Sequence, residues 1–348
     1  FSVGPATNLL VAFLIFVLVT GVLLAPVHPR AEGLIVTSTV EDSPAAVAGL
    51  EAGDLVTAIN GSVIASPSAL RTFAGPDPGA PLVLSVLRGS EELTFDDVPA
   101  GVVVQEVVKD SPAEDAGIRA GSILARFDGT TVHNNEELST LINATRAYQV
   151  VRLDLLEYNA TLSVWLSRPL EGIVLGTSAQ DDGPPRGYLG IRSGYLGGFF
   201  VEASFYVDAL GEPFKGVDDP SSLARAGLRY IGLPFFGVAP LSPTFQQPYE
   251  IDGALGAVPA PLFWLTLNAL YWIFWINLML GLTNALPAVP LDGGYVFRDW
   301  LGPLVARVRR NLTPEAQERL AGQVSVLVAL GVLFLIIWQL VGPRLVGL

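Results

Sequence analysis

Two kinds of hydrophobic pattern divide this chain. Residues 7–27 form an apolar run with no charge in it, and about 20 such residues suffice to cross a bilayer as a helix. A second run extends from Pro261 to Leu286, rich in Trp and Tyr, and a third covers residues 323–342. A shorter amphipathic piece, Tyr295 to Val308, lies between the last two. Residues 31–168 read differently: short alternating or β-rich runs are punctuated by Gly, Pro, Asn and Asp, the pattern of small strands joined by tight turns. Residues 169–258 have neither pattern over any length, although Gly187-Tyr188-Leu189-Gly190-Ile191 reads as the start of a short strand. Gly197 to Val207 and Tyr230 to Val238 are aromatic and apolar but broken by Gly or Pro, too interrupted to span. They read as interfacial or cleft-lining segments, as an edge strand that clamps substrate, or as a linker that dips into the lipid surface.

The alternating region repeats itself at a constant offset of 68 residues. Gly33 matches Gly101, Ser43-Pro44-Ala45 matches Ser111-Pro112-Ala113, Ala48-Gly49 matches Ala116-Gly117, Gly61 matches Gly129 and Leu70 matches Leu138. No gap is needed, so a module has been duplicated. Each copy predicts a first strand (Leu34-Ile35-Val36; Val102-Val103-Val104). A Ser-Pro helix start follows, with Pro where no donor is needed. Next come a strand (Leu55 to Ile59; Ile123 to Phe127), a turn at Asn60-Gly61 or Asp128-Gly129, a second helix and closing strands. Both copies resemble PDZ domains of the bacterial, protease-associated type. The resemblance implies that a peptide C-terminus or extended segment adds as a strand to an open sheet edge. It places the binding loops at Gly33-Leu34-Ile35 and Gly101-Val102-Val103. A domain that only packs or spaces is the alternative. Gly121-Ser122 in the second copy departs from the Gly53-Asp54 of the first.

Charge narrows the functional classes. The net charge is −13, and 20 basic residues include only two Lys, Lys109 and Lys215. That balance argues against nucleic acid, which asks for a basic face. It suits an acidic surface hydrated at high salt, and a halophilic archaeal source is expected from it. With no Cys, disulfides, thiol nucleophiles and cysteine metal sites are excluded.

The candidate chemistry lies where the second apolar run ends, at Thr283-Asn284-Ala285-Leu286-Pro287-Ala288-Val289-Pro290-Leu291-Asp292-Gly293-Gly294. An acid at the end of a lipid-length segment is costly and usually functional. Pro287 and Pro290 cannot continue a regular helix, and broken backbone at membrane depth belongs inside protein or beside a wet cavity. Asp292 is therefore expected to face a polar pocket, or else to sit in an Asp-Gly turn at the membrane surface. Asn277, Gly281 and Asn284 share a helix face expected to look into the protein. Gly4, Asn8 and Ala12 make a small and polar stripe on which a second helix could pack.

Asn284-x-x-Pro287-x-x-x-x-Asp292-Gly293, with Leu291 before the acid, resembles a signature of the site-2 proteases, the intramembrane zinc metalloproteases. Gly4-Pro5-Ala6-Thr7-Asn8 resembles the GPxxN opening of another helix of that family. The resemblance implies Asp292 as a ligand of Zn2+, a catalytic role for Asn284, and a substrate cleft shaped by Asn284, Pro287, Leu291 and Gly293. It also implies two His and a general-base Glu from an HExxH helix. This sequence departs there, because its two His, His28 and His133, lie in no HExxH. Zinc in proteins takes about four ligands. The sequence thus reads either as an N-terminally truncated protease, its missing motif upstream of Phe1, or as a relative that has lost its chemistry.

The expected fold is a polytopic α-helical membrane protein with two inserted PDZ-like α+β domains. Its parts are a transmembrane helix (1–28), PDZ-like domains (31–98 and 99–168), linker and interfacial segments (169–258), and a C-terminal membrane domain (259–348). Arg298, Arg307, Arg309, Arg310 and Arg319 lie between the last two apolar runs. The positive-inside rule makes that loop cytoplasmic and the PDZ-like pair extracytoplasmic. The resemblance implies cleavage of single-span transmembrane proteins in the cell membrane, with the pair gating access. A non-catalytic membrane adaptor presenting two peptide-binding modules is the alternative. An HtrA-like serine protease is disfavoured, since no Gly-x-Ser-Gly-Gly element is present.

Overall fold

Side-chain caps and glycine turns, repeated in both copies, set the local structure of the alternating region. Ser43 and Ser111 each accept a backbone N–H three residues on and are each followed by Pro, so two short helices begin there. Ser66 and Asn134 cap the next pair in the same way. In the computed structural model, backbone is described for residues 3–73, 75–178, 185–287, 291–308 and 313–346, and side chains from residue 4 to residue 331.

In chain order the helices are α1 (Val3–Leu18), α2 (Pro44–Ala48), α3 (Pro67–Thr72), α4 (Pro112–Asp115), α5 (Asn135–Asn143), α6 (Phe205–Gly211), α7 (Pro220–Gly232), α8 (Pro243–Gln246), α9 (Ala260–Ala285), α10 (Asp292–Val308) and α11 (Pro314–Val346). The strands are β1 (Val27–Pro29), β2 (Leu34–Thr39), β3 (Leu55–Ile59), β4 (Ser62–Val63), β5 (Pro81–Arg88), β6 (Glu91–Pro99), β7 (Val102–Val107), β8 (Ile123–Phe127), β9 (Thr130–Thr131), β10 (Val150–Asn159), β11 (Val164–Val174), β12 (Gly176–Ser178), β13 (Arg186–Tyr188), β14 (Ile191–Tyr195), β15 (Gly198–Glu202) and β16 (Tyr249–Ile251).

These elements form two units. One comprises residues 27–209 and 241–256; the other comprises 1–26, 210–240 and 257–348. In the first, the duplication gives two sheets of the same plan, ordered β15-β2-β3-β5-β6 and β14-β7-β8-β10-β11. Alternation along β5 and β10 puts Leu82, Leu84 and Val86, and Val151, Leu153 and Leu155, into one hydrophobic core shared by both copies.

The stretch expected to be linker supplies a strand to each sheet. β14 pairs antiparallel with β7, Tyr195 opposite Val102, and β15 pairs antiparallel with β2, Glu202 opposite Leu34. The first copy thus receives the later strand and the second copy the earlier one. Gly190 O accepts from Val108 N and Gly197 O from Val40 N, both at 2.9 Å. Tyr188-Leu189-Gly190 and Tyr195-Leu196-Gly197 therefore hold equivalent places. Gly190 and Gly197 have φ of 85° and 75°, and a Cβ on either would lie 2.2 or 2.4 Å from the Cβ of Ser111 or Ser43. Only glycine fits such close approaches.

This placement corrects the expectation for the open edge. Leu34 and Ile35, and Val102 and Val103, lie on strands paired on both sides, because β14 and β15 occupy the edge. Gly33 and Gly101 precede those interior strands, and a Cβ on either would meet its neighbouring strand at 2.4 Å. Of the readings open for Gly197 to Val207, residues 198–202 take the edge strand.

In the other unit, helices Gly4–Leu23 and Ala260–Ala285 are long and apolar enough to cross a bilayer. α1 packs along α9. Ala12 is buried, and Leu9 sits where a side chain on Gly281 would go, at 2.7 Å. The small-residue faces on both helices thus let their backbones approach. Asn277 donates to Ile273 O at 2.7 Å, so it is satisfied within its own helix. Residues 210–240 dock on the same helices. Tyr230 stands edge-on to Phe16 at 5.5 Å and donates to Leu210 O, and Trp275 donates to Ile231 O at 2.9 Å. The third expected span, 323–342, lies along α11; its side chains past residue 331 are outside the described residues.

Candidate active site

The end of α9 and the start of α10 build the site. α9 stops at Ala285, and Leu286 turns to an extended conformation, with ψ of 139°. Pro287 follows, and Ala288, Val289 and Pro290 lie outside the described residues. Asp292 opens α10. A carboxylate at a helix start is favoured by the exposed N–H groups there. Gly293 is sterically required: a Cβ would fall 2.3 Å from Ala285 O and 2.5 Å from Leu286 O. The glycine after the acid thus lets α10 start against the end of α9, which fixes where Asp292 stands.

That place is beside the first helix. Asp292 Oδ2 lies 3.2 Å from the position of a Cβ on Gly4, so the Gly of Gly4-Pro5-Ala6-Thr7-Asn8 leaves room for the carboxylate. A pocket of about 500 Å³ opens here, lined by Pro5, Leu9, Pro287, Asp292, Phe297 and Trp300 among others. Among the described residues, Asp292 is its one charged lining residue. An apolar cleft with a single oriented polar group is the usual form of a site for an apolar chain segment.

Of the residues expected to make the site, Pro287, Asp292 and Gly293 come together in the pocket wall. Asn284 is half-buried on the last turn of α9 and Leu291 half-buried just before Asp292; neither lines the pocket. Pro5, Leu9, Phe297 and Trp300 do line it. The i, i+4 spacing of Pro5 and Leu9 on an apolar helix carried no chemical signal of its own.

The residues present provide one of the roughly four donors that zinc takes. No His lines the pocket. His28 Nε2 lies 3.2 Å from Glu250 and 3.3 Å from Asp252. His133 lies 3.1 Å from Glu137 and 3.5 Å from Asp77. The described residues therefore fit a contributor to a zinc site and do not complete one.

The edges left free by the sheets form a second candidate. β14 and β15 each pair on one side only. α5 lies beside β14, where Asn135 donates to Ser193 Oγ at 3.1 Å, and α3 lies beside both strands. The internal likeness of Tyr188-Leu189-Gly190 to Tyr195-Leu196-Gly197 was the signal that could have identified them.

Comparison with known proteins adds the following. The sequence model of "Peptidase family M50" matches residues 1–332. A protein of Brucella suis named "Probable periplasmic serine endoprotease DegP-like" is 32% identical over 152 residues, covering 32% of this chain and 30% of its own. A protein of Agrobacterium fabrum named a "putative zinc metalloprotease" is 33% identical over 98 residues, covering 28% of this chain and 25% of its own. The chain thus spans about a third or less of the curated relatives it matches. A PDZ domain of the SdrC-like protein from Listeria monocytogenes matches 27% of this chain and 86% of that one, at 22% identity and a TM-score of 0.21.

Proposed function

Since the chain belongs to peptidase family M50, the family of the site-2 proteases, we propose that it contributes the carboxylate ligand to a zinc metalloprotease acting within the membrane. The observation that carries this reading is Asp292, set against Gly4 of α1 at the wall of an apolar pocket. Asp292 is one zinc ligand, and among the described residues no imidazole stands beside it. Pro287 and Gly293 shape the cleft wall, Asn284 and Leu291 sit beside it on the chain, and Asn284 takes the catalytic role that the resemblance implies. The substrate is a single-span membrane protein, whose apolar segment suits the pocket wall.

The two-sheet unit gates or selects substrate. An extended segment would add to the free edge of β14 or β15, gaining backbone hydrogen bonds that an edge strand offers. The protein is multi-pass, with this unit outside and the arginine-bearing segment of α10 and α11 at the cytoplasmic face.

The test uses the product of the complete reading frame, reconstituted with a single-span reporter. Wild type cleaves the reporter and holds zinc that Asp292→Asn releases. Asp292→Asn lowers cleavage by more than about 100-fold, beyond the 10–100-fold lost when only an outer partner of a metal ligand is removed. A wild type with peptide binding but neither cleavage nor zinc that depends on Asp292 would instead establish the adaptor reading, which the single donor at the pocket favours.

A further inference from the structure

Away from the pocket, β1 and β16 form a two-stranded ladder of three residue pairs: Val27 with Ile251, His28 with Glu250, Pro29 with Tyr249. A ladder so short is marginal by itself. In sequence it joins the strand that follows the first helical segment to the strand that precedes α9. His28 stands directly across from Glu250, and Asp252 follows β16 at once.

We propose that His28, Glu250 and Asp252 form a binding site for a divalent transition metal of the zinc type. Their ligand atoms all lie within 4.8 Å of one another. His28 Nε2 is 3.2 Å from Glu250 Oε1 and 3.3 Å from Asp252 Oδ2. A tetrahedral ion with bonds of about 2.0–2.1 Å separates its ligands by about 3.3 Å, so two of the three edges already have the required length. The chemistry of the donors sets the metal. One imidazole with two carboxylates and no thiolate suits zinc and its neighbours, whereas calcium and magnesium prefer oxygen alone.

Glu250 has its two oxygens divided. Oε1 faces His28, while Oε2 lies 3.8 Å from Arg30 Nη1. Arg30 is itself held by donating from Nε to Gln247 O at 3.1 Å and from its backbone N to Pro248 O at 2.9 Å. The arginine thus orients the carboxylate from the side away from His28 and leaves Oε1 for a metal. His28, Glu250 and Asp252 are 42%, 43% and 70% exposed, so a metal enters from solvent and fills its remaining positions with water. Bound there, it crosslinks β1 to β16 and stabilises the folded chain by mass action.

The experiment titrates zinc chloride into the chelator-treated full chain in detergent, by calorimetry, and cobalt(II) chloride by visible absorption. One ion per chain is expected to bind with a rise in thermal midpoint, and cobalt to give ligand-field bands. His28→Ala removes the bands and weakens binding by at least tenfold. Asp252→Asn, which changes an exposed side chain, weakens binding by a similar factor and keeps the test valid if His28→Ala fails to fold. Asp292→Asn leaves this binding intact, which separates the ladder from the pocket. Wild type without saturable zinc, or zinc binding unchanged in both ladder variants, overturns the proposal and leaves a His–carboxylate ion-pair cluster.

Discussion

The two copies of the duplicated module differ most where their sequences part company, at Asp54 and Ser122. In the first copy, Asp54 is 1% exposed and grips Arg88 with both oxygens, at 2.7 and 2.8 Å, while accepting Glu51 N at 2.8 Å. Arg88 spans to Gly49 O at 2.8 Å, and the hydrogen bond to Asp54 raises its pKa further. In the second copy, the acid is gone and the network has moved. Glu157 lies at the end of β10, and Arg168 from β11 meets it at 2.6 Å and reaches Gly117 O at 2.9 Å. Ser122 keeps only a 3.5 Å contact to Glu157. Both copies therefore tie an arginine to the same glycine carbonyl, Gly49 or Gly117. They draw the carboxylate from different places, the residue just before β3 in one copy and the end of β10 in the other. The required feature is an anchored guanidinium over the end of the first short helix; the Gly-Asp dipeptide is one way to hold it.

The comparison can be broken most sharply at Asp54. Asp54→Ala takes from the partly exposed Arg88 its buried partner, leaves it Glu51 and Gly49 O, and should cost about 1.5–3 kcal/mol, the range for hydrogen bonds to charged groups. The thermal midpoint of the full chain reads this. A loss under about 1 kcal/mol would show that the buried acid is dispensable in the first copy too. Gly190→Ala and Gly197→Ala come next. Each forces a Cβ onto a serine Cβ at positive φ, and each should cost about 1–3 kcal/mol. Equal losses support the equivalence of the two closing strands, and a loss at one site alone refutes it.

Ser122→Ala should cost less than about 1 kcal/mol, since the hydroxyl makes one long contact. Ser122→Asp should be worse, because it sets a second carboxylate against Glu157. The smallest effect belongs to Glu137, whose counterpart in the first copy is Ala69. The backbone N–H of His133 holds its carboxyl below the usual range. A depressed folded-state pKa gives stability that is present above about pH 4.3 and fades as pH falls through the lower folded value. The difference between wild type and Glu137→Gln should therefore shrink from pH 6 to pH 3. At 43% exposure that difference is small.

Much of this was legible in sequence for a local reason. The caps at Ser43, Ser66, Ser111 and Asn134 lie three residues from the N–H groups they satisfy, and the long apolar runs contain their own helical hydrogen bonds. Asp292 was recognisable because Pro287 and Gly293 constrain the backbone around it. A strand starting at Gly187 to Ile191 was legible, but the partners of the closing strands were not, because Gly198 pairs with Thr39 and Ile191 with Val107, across long stretches of chain. Five-residue strands bounded by glycine have too short a period to announce a partner. The exchange of Asp54 and Arg88 for Glu157 and Arg168 was hidden likewise, since side chains on adjacent strands meet only after pairing.

The crossed closure has a consequence for biosynthesis. A chain emerging from its N-terminus completes residues 34–39 long before residues 198–202 exist, and the first-made sheet is the last to gain its final strand. Until then both β2 and β7 present bare edges to any neighbouring polypeptide. Translation past residue 202 would seal the two within moments of each other, seven residues apart. Nascent chains arrested short of that point should be the ones that chaperones hold longest.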